Sequence, residues 1–328
     1  MRAAVYYETG PPDVLQYQEV PDPACSQSGL VIDVKAISIE GGDVLNRAGG
    51  SMTGRPQIVG YQCAGVVHEV GENVTDFVRG ERVVAVMEHG SHATKASAAP
   101  NTTWRVPDGL DLKSAACVPL PFGTADDCLF EFGHLQQGEI VLVQAGAGGV
   151  GLAAVQLAKR GGATVMASAS TQAKVEKLRA YGVDCAINYA TTDLVSAVRE
   201  FTNGRGVDLV IDSVGGKILE VSRRCLTYRG RAITVGNASR DTAQIDFRGL
   251  RIGSQSLTGV YFLVEMQTAR MHRIIANHLN DVRTGTLKVV IDRTFALSEA
   301  AAAHAHVESR RAFGRVLLVP DGAETSLE

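Results

Sequence analysis

Residues Ile140–Lys159 read IVLVQAGAGGVGLAAVQLAK, and this stretch decides the fold. Ile140–Val143 is a short apolar run of mostly β-branched residues, as a strand buried on both faces should be. Gly146-Ala147-Gly148-Gly149-Val150-Gly151 follows, a G-x-G-x-x-G. Beyond it Val150, Ala154, Leu157 and Ala158 recur at helical spacing, with Gln156 and Lys159 between them. Strand, glycine turn and helix in that order point to a dinucleotide site. Gly146 permits the tight turn, Gly148 lets a pyrophosphate approach the backbone, and Gly151 lets the helix pack close to the strand. The helix N-terminus offers the phosphates free N–H groups and a positive dipole end. The same residues also fit a glycine-rich turn in an α/β protein that binds no nucleotide, or a methyltransferase loop.

Outward from this centre, strands and helices alternate from Pro119 onward, which implies βαβ units and a parallel sheet. The candidate strands are Ile140–Gln144, Thr164–Ser168, Ala186–Tyr189, Leu209–Asp212, Ala232–Val235 and Ser256–Val260. Six in succession predict a doubly wound fold with its ligand at their carboxyl ends. The chain before it, to about residue 118, is β-rich. Leu30–Ile37, Cys63–Val70 and Arg82–Met87 read as strands, separated by turn signals such as Gly10-Pro11-Pro12 and Gly71-Glu72-Asn73. After Tyr261 a helical segment reaches about Val282. Strands Leu287–Phe295 and Arg315–Val319 then flank an Ala-rich helix, Ser298–Glu308, with Ser298 as its N-cap. That tail is too short to stand alone. The expected organisation is a compact, barrel-like β-rich domain from residues 1–118 and 262–328, with a nucleotide domain, 119–261, inserted between. Leu327-Glu328 reads as a cloning remnant.

The totals narrow the class. A net charge of -3 suggests neither nucleic acid nor an anionic membrane as a partner. No apolar run has membrane-spanning length, and MRAAVYYETG lacks a signal-peptide core, so a cytoplasmic protein is expected. The six cysteines are scattered without a C-x-x-C, against a zinc lobe or a disulfide framework. Three acidic or histidine-bearing clusters are read as non-functional. Glu88-His89 with His92 is expected in a solvated turn. His304 and His306 are two apart on a helix and face different sides. Asp126, Asp127 and Glu131 are expected on a solvated helix face. No Tyr-x-x-x-Lys follows Tyr181, Tyr189 or Tyr228, which argues against the short-chain dehydrogenases.

Further motifs stand at 37–43 (ISIEGGD), 59–65 (VGYQCAG), 80–83 (GERV), 106–110 (VPDGL), Gly123-Thr124-Ala125, 212–216 (DSVGG) and 313–316 (FGRV). Together with the glycine turn they resemble the medium-chain dehydrogenase/reductase superfamily, in its zinc-free quinone oxidoreductase (zeta-crystallin-like) branch, and the resemblance covers nearly the whole chain. It implies a Rossmann-type domain inserted into a GroES-like catalytic domain, and cofactor contacts from Thr124 and Gly236. It also implies a homodimer that pairs the edge strands Ser256–Val260. The departures are specific. Where zinc alcohol dehydrogenases of this superfamily place Cys, His and Cys on the catalytic metal, this chain has Glu40, Tyr61 and Leu120. Leucine has no ligand atom and neutral tyrosine is a poor one. The structural four-cysteine lobe would follow residue 88, where no cysteine stands. No metal site is therefore expected. Asp43 and Arg47 match the branch. Leu45 replaces a frequent tyrosine, and many relatives have Asn where Glu40 stands.

The second strand should end beside the adenosine ribose. An NAD site carries Asp or Glu about twenty residues past the glycines. Here the stretch is Ser168-Ala169-Ser170-Thr171-Gln172-Ala173-Lys174, with Ala169 at the acid's position. No carboxylate repels a 2′-phosphate, Ser168 and Ser170 can donate to it, and Lys174 adds a positive charge. The resemblance adds Tyr189 as a wall. In the plainer reading Lys174 is solvated and Tyr189 packs. NADPH is the expected cofactor, held by Gly146, Gly148, Gly149, Val150, Gly151 and this corner.

The function expected is an NADPH-dependent oxidoreductase acting on a small molecule, a quinone or an activated C=C bond such as an enone or alkenal. Tyr61 is the first candidate proton donor because it occupies the position of a zinc ligand. Asp43 and Glu40 follow, each needing a raised pKa. Tyr61 reads equally well as a ring lining an apolar pocket. The alternative function is a non-catalytic NADPH-binding or structural protein of the zeta-crystallin type. A methyltransferase leaves the N-terminal motifs without a role.

Overall fold

The computed structural model describes residues 1–242 and 245–322; Ala243, Gln244 and the stretch 323–328, with Leu327-Glu328 in it, lie outside. The chain divides into two compact units, Met1–Leu120 with the chain from Leu263 onward, and Pro121–Phe262.

The first unit begins with β1 (Arg2–Tyr6), β2 (Gln16–Glu19), β3 (Leu30–Ser38), α1 (Gly41–Gly49), β4 (Gln57–Ile58) and β5 (Gln62–Val70). It continues through β6 (Arg82–Val86), β7 (Lys95–Ala98) and β8 (Thr103–Arg105) to α2 (Leu112–Ala115), after which α3 (Pro119–Asp126) leads the chain into the second unit. A small antiparallel sheet has the order β2-β1-β4. β3 is buried along most of its length because it is sandwiched, pairing with both β5 and β7. Its inward residues Leu30, Ile32, Val34 and Ile37 join Cys63, Val67, Val83 and Ala85 in one core. α1 starts just after Glu40, whose backbone N–H donates to Asp43 Oδ2 at 2.7 Å while Asp43 N donates to Glu40 O at 3.1 Å, so both donors are satisfied.

The second unit holds β9 (Ile140–Val143), α4 (Gly149–Arg160), β10 (Thr164–Ala169), α5 (Gln172–Leu178), β11 (Cys185–Asn188) and α6 (Leu194–Phe201). β12 (Val207–Asp212), α7 (Gly216–Cys225), β13 (Leu226–Thr234), α8 (Phe247–Gly253) and β14 (Ser256–Gly259) complete it. Its sheet is parallel throughout, in the order β11-β10-β9-β12-β13-β14. This is the doubly wound arrangement. Strand order reverses between β9 and β12, and a ligand belongs outside their carboxyl ends. β13 starts earlier than its apolar core suggests, because Tyr228 and Arg229 are exposed and Arg229 sits at φ 61°, a left-handed kink inside the strand.

The tail returns through α9 (Phe262–Glu265), α10 (Ala269–Arg283), β15 (Ile291–Ala296), α11 (Ala300–Glu308) and β16 (Arg315–Val319). The expected single helix after Tyr261 is two, the second capped by Thr268, whose hydroxyl accepts from Met271 N. The expected strand from Leu287 starts only at Ile291. Ser298 is not the N-cap of the Ala-rich helix. Its hydroxyl donates to Asp321, and the Glu299 carboxylate accepts from Ala296 N at the turn that precedes α11. β16 lies antiparallel to β3, with Leu317 opposite Ser38, and this register delivers Arg315 to the start of α1.

Candidate active site

The glycine turn is built from below. Ala145 takes φ 50°, turning the chain sharply off β9, and Gly146 N donates to Ser168 O at 2.8 Å. A Cβ on Gly146 would stand 2.8 Å from the Ala167 Cβ, and one on Gly151 would stand 2.3 Å from Ala145 O. Both glycines are therefore required by packing. A Cβ on Gly148 would meet only Ala145 O, at 3.4 Å, so packing within the chain does not demand a glycine there. The first intrahelical bond of α4 runs from Leu152 N to Gly148 O, which leaves the N–H groups of Gly149, Val150 and Gly151 without a helical acceptor.

Beneath the turn runs a buried relay that the sequence did not reveal. Asp212 Oδ1 accepts from Val214 N and Gly215 N, both at 2.8 Å, and Oδ2 accepts from Ser222 Oγ at 2.7 Å. Ser222 Oγ accepts from Gln144 Nε2 at 3.0 Å, Gln144 Oε1 accepts from Ser168 Oγ at 2.5 Å, and Ser168 Oγ accepts from Ala145 N at 3.3 Å. Ser168 therefore does not line a phosphate pocket, as expected above. Its place on β10 turns it inward toward Gln144, where it is 1% exposed.

The neighbouring corner keeps the other expected groups. β10 ends at the buried Ala169, whose carbonyl accepts from Tyr189 N at 3.1 Å, so Tyr189 stands beside the position of the missing acid and is 44% exposed. Half-buried Ser170 follows. Thr171 caps α5 by accepting from Lys174 N, which sets half-buried Lys174 in the first turn. A Cβ on Gly236 would stand 2.9 Å from Ser213 O, so that glycine keeps the end of β13 close against the end of β12. On α3, Thr124 Oγ1 is buried with no hydrogen-bond partner among the described residues.

In the first unit, the three zinc-ligand positions meet around Gln62. Its Nε2 donates to Glu40 Oε1 at 2.5 Å and its Oε1 accepts from Leu120 N at 3.1 Å. Arg315 pairs with Glu40 Oε1 and also donates to Ser38 Oγ and Ile39 O. Burial pushes the Glu40 carboxyl up, opposed by the Arg315 guanidinium and the donors of Gln62 and Ser38. These residues do not fit a zinc ion, since Leu120 has no donor atom and the Glu40 carboxylate is already engaged. Asp43 is fully buried, its Oδ2 accepts from Glu40 N at 2.7 Å, and burial pushes its carboxyl well above the ordinary range. Tyr61 lies against α1, where its Oη accepts from Asn46 Nδ2 at 2.8 Å. Gln62 and Arg315 sit inside motifs quoted above, but only the folded register shows that they serve Glu40. Asn46 carried no sequence signal.

Two expectations about side clusters are corrected. His92 is not in a solvated turn. It is buried, and its Nε2 lies 3.1 Å from Nε2 of the equally buried His304, while His306 bonds Asp292 instead. Removal from water holds His92 down at about 3 and His304 well below its usual value, so both rings are neutral. Asp126 and Asp127 are likewise buried and not on a solvated face. Among the described residues no group of three or more His, Cys, Asp or Glu could hold a metal ion.

Comparison with known proteins adds independent findings. Residues 26–109 match the alcohol dehydrogenase GroES-like domain and residues 149–277 the zinc-binding dehydrogenase family. The chain is 33% identical to a 2-haloacrylate reductase from a Burkholderia species, over 97% of this chain and 98% of the relative. It is 35% identical to a probable quinone oxidoreductase of Schizosaccharomyces pombe, over 95% of each. The crystal structure of Escherichia coli quinone oxidoreductase complexed with NADPH superposes with a TM-score of 0.93 at 28% identity, covering 98% of this chain and 100% of that one.

Proposed function

The chain belongs to the medium-chain dehydrogenase/reductase superfamily, in its quinone oxidoreductase branch, and on that premise we propose that it transfers hydride from NADPH to a quinone or an activated C=C bond without zinc. It is an oxidoreductase that binds NADPH. The residues present fit that cofactor. The N–H groups of Gly149, Val150 and Gly151 suit its pyrophosphate. Ser170, Lys174 and Tyr189 surround a strand end that lacks the acid a 2′-hydroxyl would need. Thr124 Oγ1, with no partner among the described residues, suits a polar group of the cofactor.

When bound, the cofactor supplies a hydride from its dihydronicotinamide. The chain's own task is to hold the acceptor and to stabilise charge where it develops. The observation that carries the reading is the chemistry at the three ligand positions, Glu40, Tyr61 and Leu120. They supply no Lewis acid to polarise a simple carbonyl, so ketones and aldehydes should be poor substrates. A quinone or enone delocalises the incoming charge onto a conjugated oxygen, which needs only a hydrogen bond or a proton. Tyr61 carries a hydroxyl suited to this, since an ordinary tyrosine keeps its proton at neutral pH. The 2-haloacrylate reductase relative, named for an activated alkene, supports the C=C option.

Oxidation of NADPH followed at 340 nm with a panel of quinones, enones, ketones and aldehydes tests the proposal, together with elemental analysis. Turnover with the first two classes and no stoichiometric zinc is expected. Tyr61→Phe should lower kcat for enones more than about tenfold, about 1.4 kcal/mol of lost transition-state stabilisation, while NADPH affinity is kept. NADPH binding without any turnover would instead favour a non-catalytic, zeta-crystallin-type role, and one zinc per chain would overturn the zinc-free reading.

A further inference from the structure

We propose that Asn46 is a positioning residue for Tyr61, fixing the direction in which the phenol presents its proton. The inference rests on the reading of Tyr61 as proton donor and goes one residue further.

Gly42 and Asn46 are four apart on α1 and therefore share a face. The Tyr61 ring lies against that face so closely that a Cβ on Gly42 would stand 2.3 Å from Tyr61 Cε2. Only glycine admits the ring there. One turn further on, Asn46 Nδ2 reaches Tyr61 Oη at 2.8 Å. The main chain is held as well, with Met87 N donating to Tyr61 O at 2.7 Å. Ring plane and backbone are thus set, and the remaining freedom is rotation of the hydroxyl.

Asn46 removes that freedom. An amide NH2 has donors and no lone pair, so Oη can only accept from it, and the hydroxyl proton must point away from α1. The accepted bond also stabilises the oxygen as its proton leaves, which strengthens it as a donor. A residue that accepted at this position would do the reverse, drawing the proton back toward the helix. Asn46 is half-buried, so the bond is partly shielded from competing water.

Asn46→Asp tests this because it keeps the shape and reverses the hydrogen bond, while Asn46→Ala removes it. With an enone and NADPH, Asn46→Asp should lower kcat by more than about tenfold and Asn46→Ala by about three- to tenfold, one hydrogen bond's worth. NADPH affinity, read by fluorescence, should stay within about twofold, and in the Tyr61→Phe background Asn46→Asp should have no further effect. A purely structural role predicts the opposite order, with the isosteric Asp milder than Ala. That order, or an equal loss in the Tyr61→Phe background, overturns the proposal. The 13Cζ resonance of Tyr61 supplies a second readout that needs no turnover. If Tyr61→Phe retains full activity, the donor reading falls. A Tyr61 signal displaced by Asn46→Asp then still upholds the directed hydrogen bond, and an unmoved signal overturns it.

Discussion

Ala169, where β10 ends, carries the proposed choice between two cofactors by what it lacks. With no carboxylate there, the proposed site would offer a 2′-phosphate Ser170, Lys174 and the wall of Tyr189, whose backbone is bonded to Ala169. Lys174→Ala should weaken NADPH by roughly ten- to a hundredfold, the worth of one charged hydrogen bond, and leave NADH nearly unchanged. Titration of both cofactors checks it, and equal losses would remove Lys174 from the phosphate site. The buried His92–His304 pair makes a second prediction, about pH. Burial holds both rings neutral, His92 down to about 3. An unfolded histidine takes up its proton near 6.5, so below that pH the unfolded chain binds protons that the folded chain refuses. The pair's contribution is complete above about pH 6.5 and drains away as pH falls toward 3. Thermal midpoints measured from pH 7 to 4.5 should decline, and the double variant His92→Gln/His304→Gln should flatten that limb. Identical slopes for the two proteins would assign acid lability to other groups.

Among the elements, the order strand, glycine turn, helix was legible because each glycine answers a local steric demand, and the structure shows two of those demands as contacts a Cβ could not survive, at Gly146 and Gly151. The support beneath the turn was not legible. Gln144, Ser168, Asp212 and Ser222 come from four separate segments, and nothing local in their sequence says that they form one chain of hydrogen bonds. Ser168 was misread for this reason: its position along β10 was right, but the face it presents is fixed by Gln144 across the sheet. The same holds in the first unit, where Arg315 reaches Glu40 across more than two hundred residues of chain through the β16–β3 pairing. The relay yields an element-scale prediction. Ser222→Ala would leave Gln144 Nε2 and Asp212 Oδ2 buried and unpaired, at a cost of about 1–3 kcal/mol. The thermal midpoint should drop by several degrees and NADPH affinity should fall with it, since Ala145 and Gly215 are anchored to the relay from its two ends. A stable variant with unchanged affinity would show that the turn holds its shape without the relay.

At the scale of the whole molecule the open question is association. β14 is the last strand of the parallel sheet, and Val260 N donates to Thr234 O. Strand alternation then sends the N–H groups of Thr258 and Ser256 inward to β13 and those of Leu257 and Gly259 outward. A strand edge with outward N–H groups invites pairing unless it is covered or charged. This edge lacks the second protection: SLTG has no charge, and no proline either. The segment around it also holds large exposed side chains, Tyr228, Phe247, Ile252 and Tyr261, each at 68% or more. An uncharged edge of this kind, with no further strand beside it among the described residues, is what two copies related by a twofold axis would bury against each other, forming one continuous sheet. A homodimer is therefore expected, with a mass by light scattering of twice 34.7 kDa at micromolar concentration. Gly259→Pro is the sharper test. It removes one outward N–H, spares the inward bonds of Thr258 and Val260, and enters open space, since nothing lies within 4 Å of a Cβ there. The variant should remain folded, keep its affinity for NADPH and dissociate toward the monomer. A wild-type chain that scatters as a monomer, or a proline variant that dimerises as tightly as the parent, would remove β14 from the interface.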